Sequence, residues 1–249
     1  MAASVQDDLL RSLGKVVRAL SILFWCLPLA LILSMQNLLT IWLRAAGALM
    51  PVALMGAMFV ALWWLGSFQP QERVWMRALD RAKFTALAMV GLSPFVYWRN
   101  QLPNELYFNA AVAVLFGTGL FFIYNLNVVL LRLTAMLPDE TLRGDARLFT
   151  AFNRGLLIGI LVFTGGQKLL LELTGGAPGP DAGIEPTWLQ QKLGIENVPD
   201  LLRAIAVLLE AELQWTLTML VLFPVAVTMT LLWKTKEAIF ASVFRTQQP

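Results

Sequence analysis

The sequence predicts an all-α, polytopic transmembrane helical bundle of six spans with interfacial amphipathic helices, and three observations carry that expectation. Of the 249 residues, 58% are apolar and 14% charged, against roughly 45–50% and about 25% in a soluble domain. The mean hydropathy of +0.67 means more apolar surface than a single domain of this size hides from water, so lipid must be part of its solvent. Apolar runs of about 20 residues, the length that crosses a bilayer, recur along the chain with Lys and Arg at their ends. The whole chain, 1–249, reads as one integral membrane domain.

The N-terminal stretch 1–18 is an interfacial helix leading into the first span. Ser4 to Asp7 has the spacing of a capping box, and Leu9, Leu13, Val16 and Leu20 recur at helical intervals opposite Arg11, Lys15 and Arg18. Asp7 and Asp8 precede the basic residues and no A-x-A site follows the apolar run, so this segment is expected to be retained rather than cleaved. The first span is 19–35 and the second 45–66.

Between the second and third spans, 71–83 reads as a further interfacial helix on the cytoplasmic side. Arg73, Arg77 and Arg81 form one stripe and Trp75, Leu79 and Ala82 another. Anionic headgroups of the inner leaflet attract each Lys or Arg by about 1 kcal/mol, which accounts for both basic segments. The third apolar segment, 84–98, rises only about 22 Å against a hydrocarbon core of roughly 30 Å. It is either a short span or a re-entrant hairpin. The fourth span is 106–131, the fifth 148–171 and the sixth 213–233.

The positive-inside rule decides for six spans. With a cytoplasmic N-terminus, Arg11, Lys15, Arg18, Arg73, Arg77, Arg81, Lys83, Arg132, Arg143, Arg147, Arg154, Lys234, Lys236 and Arg245 fall inside, 14 of the 19 basic residues. Arg44, Arg99, Lys168, Lys192 and Arg203 fall outside; a hairpin at 84–98 would give a weaker split of 11 to 8. Both termini are therefore expected in the cytoplasm, and the compact chain with one-sided charge suggests a bacterial inner membrane.

The extracytoplasmic loop 175–200 begins with a turn-rich linker from Gly175 to Gly183, which lacks the preceding strand and following Lys-Ser/Thr of a phosphate loop. Thr187 to Leu193 suggests a short helix stopped by Gly194, and Asn197 a cap for a helix whose stripe is Leu201, Leu202, Ile205, Leu208 and Leu209. That stripe needs lipid or a partner protein to cover it.

Composition also removes whole classes of chemistry. There is no histidine and a single cysteine, Cys26, in an apolar stretch. Bis-histidine haem, most zinc and copper sites, intrachain disulfides and iron–sulfur ligation are excluded, and no cofactor is expected. The apolar segments hold no Asp, as intramembrane acid–base hydrolysis or cation coupling would need, so catalysis is not expected. The net charge of +3 is spread among apolar segments rather than gathered in a patch, which points to a membrane surface and not to nucleic acid.

Three groups of residues remain as candidates. Tyr124, Asn125 and Asn127 lie at nearly the depth of Asn153 and Arg154 on the next, antiparallel span. They are expected to form a polar cluster in the inner leaflet, with Arg154 donating to the amides or the Tyr124 hydroxyl. It serves either as glue between helices or as a site for a headgroup, quinone or anionic solute. Lys168 and Glu172, with Glu210 and Glu212, suggest an ion pair at the outer edge. Gly155 with Gly159, and Ala53, Ala57 and Ala61, are small-residue rows that permit close helix packing, within the chain or in a homo-oligomer. By elimination the expected function is that of a non-catalytic subunit or assembly component of a larger membrane complex, with other membrane proteins as partners. The alternative is a transporter or channel for a neutral or amphiphilic solute or lipid.

Overall fold

The computed structural model describes residues 2–34, 47–102, 105–137, 139–173 and 219–241, with side chains except at 2–10, 34 and 167–173. Everything regular in them is helix: α1 Ala2–Ser34, α2 Leu49–Leu65, α3 Arg73–Leu92, α4 Pro94–Gln101, α5 Leu106–Met136, α6 Glu140–Leu173 and α7 Met219–Ala241. Four of them, α1, α5, α6 and α7, are long and apolar enough to cross a membrane, while α2 is apolar but shorter. The chain divides into two compact units, Met1–Arg154 with Pro224–Pro249, and Gly155–Phe223.

Helix boundaries follow backbone hydrogen bonding rather than composition. The amphipathic start and the first span are one helix, α1, whose buried face is Val16, Ala19, Leu20, Leu23 and Leu27. The basic segment 71–83 is likewise not a helix of its own. It forms the first half of α3, because nothing between Lys83 and Phe84 breaks a helix, and it continues to Leu92. The apolar segment 84–98 is in turn divided between α3 and α4, at Ser93. Pro94 has no N–H to give the Val90 carbonyl, and the Ser93 hydroxyl donates to that oxygen instead, at 2.8 Å.

In the first unit α1 packs on α2, α2 on α3, and α3 on α5. Gly119 of α5 meets the end of Met89, and Tyr124 to Arg132 meet the earlier residues Val74 to Arg81, so α5 runs antiparallel to α3. Phe24 of α1 and Trp233 of α7 touch with ring centroids 5.8 Å apart. Between α5 and α6 the turn is tight. Asp139 accepts from the Leu142 N–H at 3.1 Å and the Thr141 hydroxyl at 2.7 Å, starting α6. Arg143 Nη2 donates to the carbonyls of Ala135 and Leu137, both at 3.3 Å, closing the end of α5.

The α2–α3 joint is the most closely fitted connection. Gln69 takes a left-handed φ of 44°, and the buried Trp75 indole donates to the Phe68 carbonyl at 3.0 Å. A Cβ at Gly66 would stand 3.2 Å from both Leu79 Cδ2 and the Trp63 carbonyl. Gly66→Ala is therefore expected to lower stability by about 1–2 kcal/mol through overpacking. Gly14 sits inside α1 with open space around it, so Gly14→Ala should raise stability by about 0.5–1 kcal/mol through helix propensity. Opposite signs in thermal unfolding of the two purified variants are the check.

Several hydroxyls along the helices are satisfied by their own backbone, whereas the Thr150 hydroxyl has no partner among the described residues. Thr118 donates to the Val114 carbonyl and Thr164 to the Ile160 carbonyl, each at 2.8 Å, and Thr235 to the Leu231 carbonyl at 2.7 Å.

Candidate functional site

Helical spacing sets Val74, Arg77, Ala78 and Arg81 on one stripe of α3 and Tyr124, Asn125, Val128 and Arg132 on one stripe of α5. Where these stripes meet they border an open recess of about 200 Å³. Arg77, Arg81 and Arg132, whose side chains are exposed, stand around it. Among the described residues no carboxylate forms an ion pair with any of them, and Asp80, the nearest acid on α3, instead approaches Lys83 at 3.5 Å. Asn125 is 4% exposed, and its Nδ2 is buried with no hydrogen-bond partner among the described residues. A buried donor left unpaired is unfavourable by roughly 1–3 kcal/mol, and Asn125 borders the recess. The cavity is a positively charged recess with an unmet donor in its wall.

A second polar arrangement is built differently. Asn127 of α5 and Asn153 of α6 each donate Nδ2 to the same acceptor, Thr228 Oγ1 of α7, both at 2.9 Å. The Thr228 hydroxyl donates to the Pro224 carbonyl at 2.7 Å, and Asn127 also donates to the Ile123 carbonyl at 2.8 Å. All three side chains are buried, and one hydroxyl thereby joins three helices. The Oδ1 atoms of Asn127 and Asn153 remain without donors among the described residues.

The five residues expected to form one cluster thus fall into separate environments. Asn127 and Asn153 meet through Thr228, while Tyr124 and Asn125 turn to the cavity beside α3. Arg154 does not donate to the amides or to Tyr124. Its position, one residue beyond Asn153, is rotated about 100° around the helix, and it is exposed. Of the alanine row, Ala61 is buried, Ala57 half-buried and Ala53 exposed. A Cβ at Gly155 or Gly159 would meet nothing within 4 Å among the described residues. The side chains of Lys168 and Glu172, together with Glu210, Glu212 and the loop 175–200, lie outside the described residues.

Sequence reasoning missed four participants. Arg77 and Arg81 read as a membrane-facing stripe and Arg132 as a span boundary, and Thr228, within the sixth apolar run, was not singled out. Its spacing of four from Pro224 was the available signal. Lys234 of α7 pairs with Asp145 of α6 at 2.6 Å, and such partly exposed pairs contribute about 0–1 kcal/mol.

A larger cavity of about 660 Å³ opens on the other flank of α3, with Lys15 and Arg18 of α1, Trp63 and Trp64 of α2, Ser67, and Lys83 around it. Lys83 Nζ stands 5.4 Å from the centre of the Trp63 ring, a cation–π distance. Among the described residues no three Cys, Asp or Glu side chains gather as a metal-ligand set. No family model matches this chain, and neither a curated protein nor a solved structure matches it.

Proposed function

We propose that the chain is a non-catalytic integral membrane protein of six spans, working as a subunit or assembly component of a larger complex in a bacterial inner membrane, with both termini cytoplasmic. The observation that carries this reading is a packing surface with no packed neighbour among the described residues. Gly155 and Gly159 are one turn apart on α6, and each has room for a side chain that nothing among the described residues fills. Such a row admits a second helix at close range. Exposed Phe152, Ile158 and Val162 flank it and would supply the apolar contact.

Two further features support the topology. Lys15, Arg18, Arg77, Arg81, Lys83 and Arg132 gather around the basic half of α3, at one end of the first unit, as an inner, anionic leaflet would favour. The 17 residues of α2 reach the lower limit of a span, and the apolar half of α3 with α4 would make a broken third crossing.

Purification of the full chain in mild detergent, with every stoichiometric companion identified by intact mass, tests the reading. A fixed set of companion proteins is expected from wild type and should be depleted at least fivefold in Gly159→Leu. A wild-type chain that emerges alone, as a monomer or homo-oligomer, or companions indifferent to Gly159→Leu, would overturn it. The 660 Å³ cavity favours a second reading, the handling of an amphiphile. Its volume suits a ligand of roughly 300–1,000 Å³, with indole faces for an apolar body and three cations for an anionic end.

A further inference from the structure

We propose that the cavity between α3 and α5 is a binding site for a phosphate group, held by Arg77, Arg81 and Arg132 with the Asn125 amide as a fourth donor. The inference is independent of the subunit reading, since it rests on the walls of one recess in the first unit.

The charge argument comes first. Three like charges around one recess repel one another, weakly while their exposed side chains are in water and more strongly as water is displaced. Proteins relieve this with carboxylates, yet no acid among the described residues pairs with these three, and Asp80 approaches Lys83. An anion from outside the chain is what the arrangement lacks. Arg132 stands on α5 and the other two arginines on α3, so the recess is bordered by donors from two helices rather than from one.

The shape of the donor set then selects the class of anion. A carboxylate offers two oxygens in one plane and is satisfied by a single guanidinium fork. Three guanidinium groups, an amide and the half-buried Tyr124 hydroxyl, distributed over two walls, match a tetrahedral oxyanion with three or four acceptor oxygens. The volume of about 200 Å³ accommodates such a group with a few waters at roughly 30 Å³ each. Val74, Ala78 and Val128 supply an apolar lining beside the cations, which suits the glycerol end of a phospholipid. A lipid headgroup and free phosphate present the same oxygens, and the experiment separates them.

Asn125 gives the inference its sharpest handle. Its Nδ2 has no partner to lose, so Asn125→Leu should leave the ligand-free chain at or above wild-type thermal stability, whereas a structural asparagine would destabilise it. Binding to the full chain in uncharged detergent is measured by calorimetric titration with inorganic phosphate and, separately, with a short-chain phosphatidylglycerol. Saturable binding of at least one is expected, falling with added salt. Arg77→Gln with Arg81→Gln should weaken it by about tenfold or more, and Asn125→Leu severalfold, from the loss of charge-assisted hydrogen bonds. Arg154→Gln removes one charge outside the cavity and should leave affinity unchanged. Binding of the lipid alone assigns the site to a headgroup, and binding of both to phosphate in either form. The proposal is overturned if neither ligand binds, if Arg154→Gln weakens binding as much as the cavity variants, or if Asn125→Leu binds as wild type.

Discussion

Trp75→Ala is expected to lower the stability of the chain by about 3–5 kcal/mol, the range for removing a fully buried aromatic side chain. Trp75 is 0% exposed and fills the joint between α2 and α3. Its indole N–H also holds the Phe68 carbonyl, next to the left-handed Gln69. Truncation empties the joint and releases the turn together, and the neighbouring Leu79 and Leu65, both fully buried, lose contacts. Trp75→Phe keeps most of the apolar area and loses one hydrogen bond, so it should lower stability by about 1 kcal/mol beyond the volume change. Helix content by circular dichroism, followed through denaturant unfolding in mixed micelles, measures both. A Trp75→Ala loss below about 1 kcal/mol would mean that the joint is not packed as described.

Thr228→Val comes second, with an expected loss of about 2–4 kcal/mol. Valine has the shape of threonine without the oxygen, so the change isolates hydrogen bonding. Two buried amide groups, on Asn127 and Asn153, lose their shared acceptor together, and each group left unpaired is unfavourable by roughly 1–3 kcal/mol. Asn127 keeps its bond to the Ile123 carbonyl and Asn153 its longer one to the Pro224 carbonyl, which holds the sum towards the lower end. The distinguishing result is non-additive. With Asn127→Leu and Asn153→Leu added, the triple variant leaves no polar group stranded and should recover much of the loss. Equal, additive losses in all three single variants would indicate that the residues do not act as one junction.

How legible these features were depended on what each local pattern measures. Hydropathy marked the apolar runs correctly as helices, and α5 begins at Leu106 where its apolar run begins. It misplaced ends wherever solvent and hydrogen bonding part company. Arg132 was read as the end of a span, yet a charged residue does not stop a helix, and α5 continues to Met136. In the same way α6 begins at Glu140, capped by Asp139, rather than at Leu148. The change from basic to apolar at Lys83 and Phe84 marks a change of surroundings with no change of backbone.

The candidate sites divide similarly. Counting depth along antiparallel spans brought Asn127 and Asn153 to one level, because rise per residue is fixed. It could not tell Asn125 from Asn127, two positions apart on opposite sides of the helix, and these serve different neighbours. Nor could a helical wheel of α3 show that Arg77 and Arg81 border a recess beside α5, since periodicity defines a stripe and leaves its neighbour open.

The shared hydroxyl of Thr228 has a consequence for the order in which the bundle is made. During synthesis α5 and α6 emerge long before α7, so a chain inserted from its N-terminus brings Asn127 and Asn153 into the bilayer before their shared acceptor exists. Asn127 meanwhile has the Ile123 carbonyl of its own helix, as Thr118, Thr164 and Thr235 have theirs, whereas both acceptors of Asn153 stand on α7. Asn153 is a provisional tenant of the membrane until the last described helix arrives, and a nascent chain cut short before Pro224 would carry it as a mark of incompleteness.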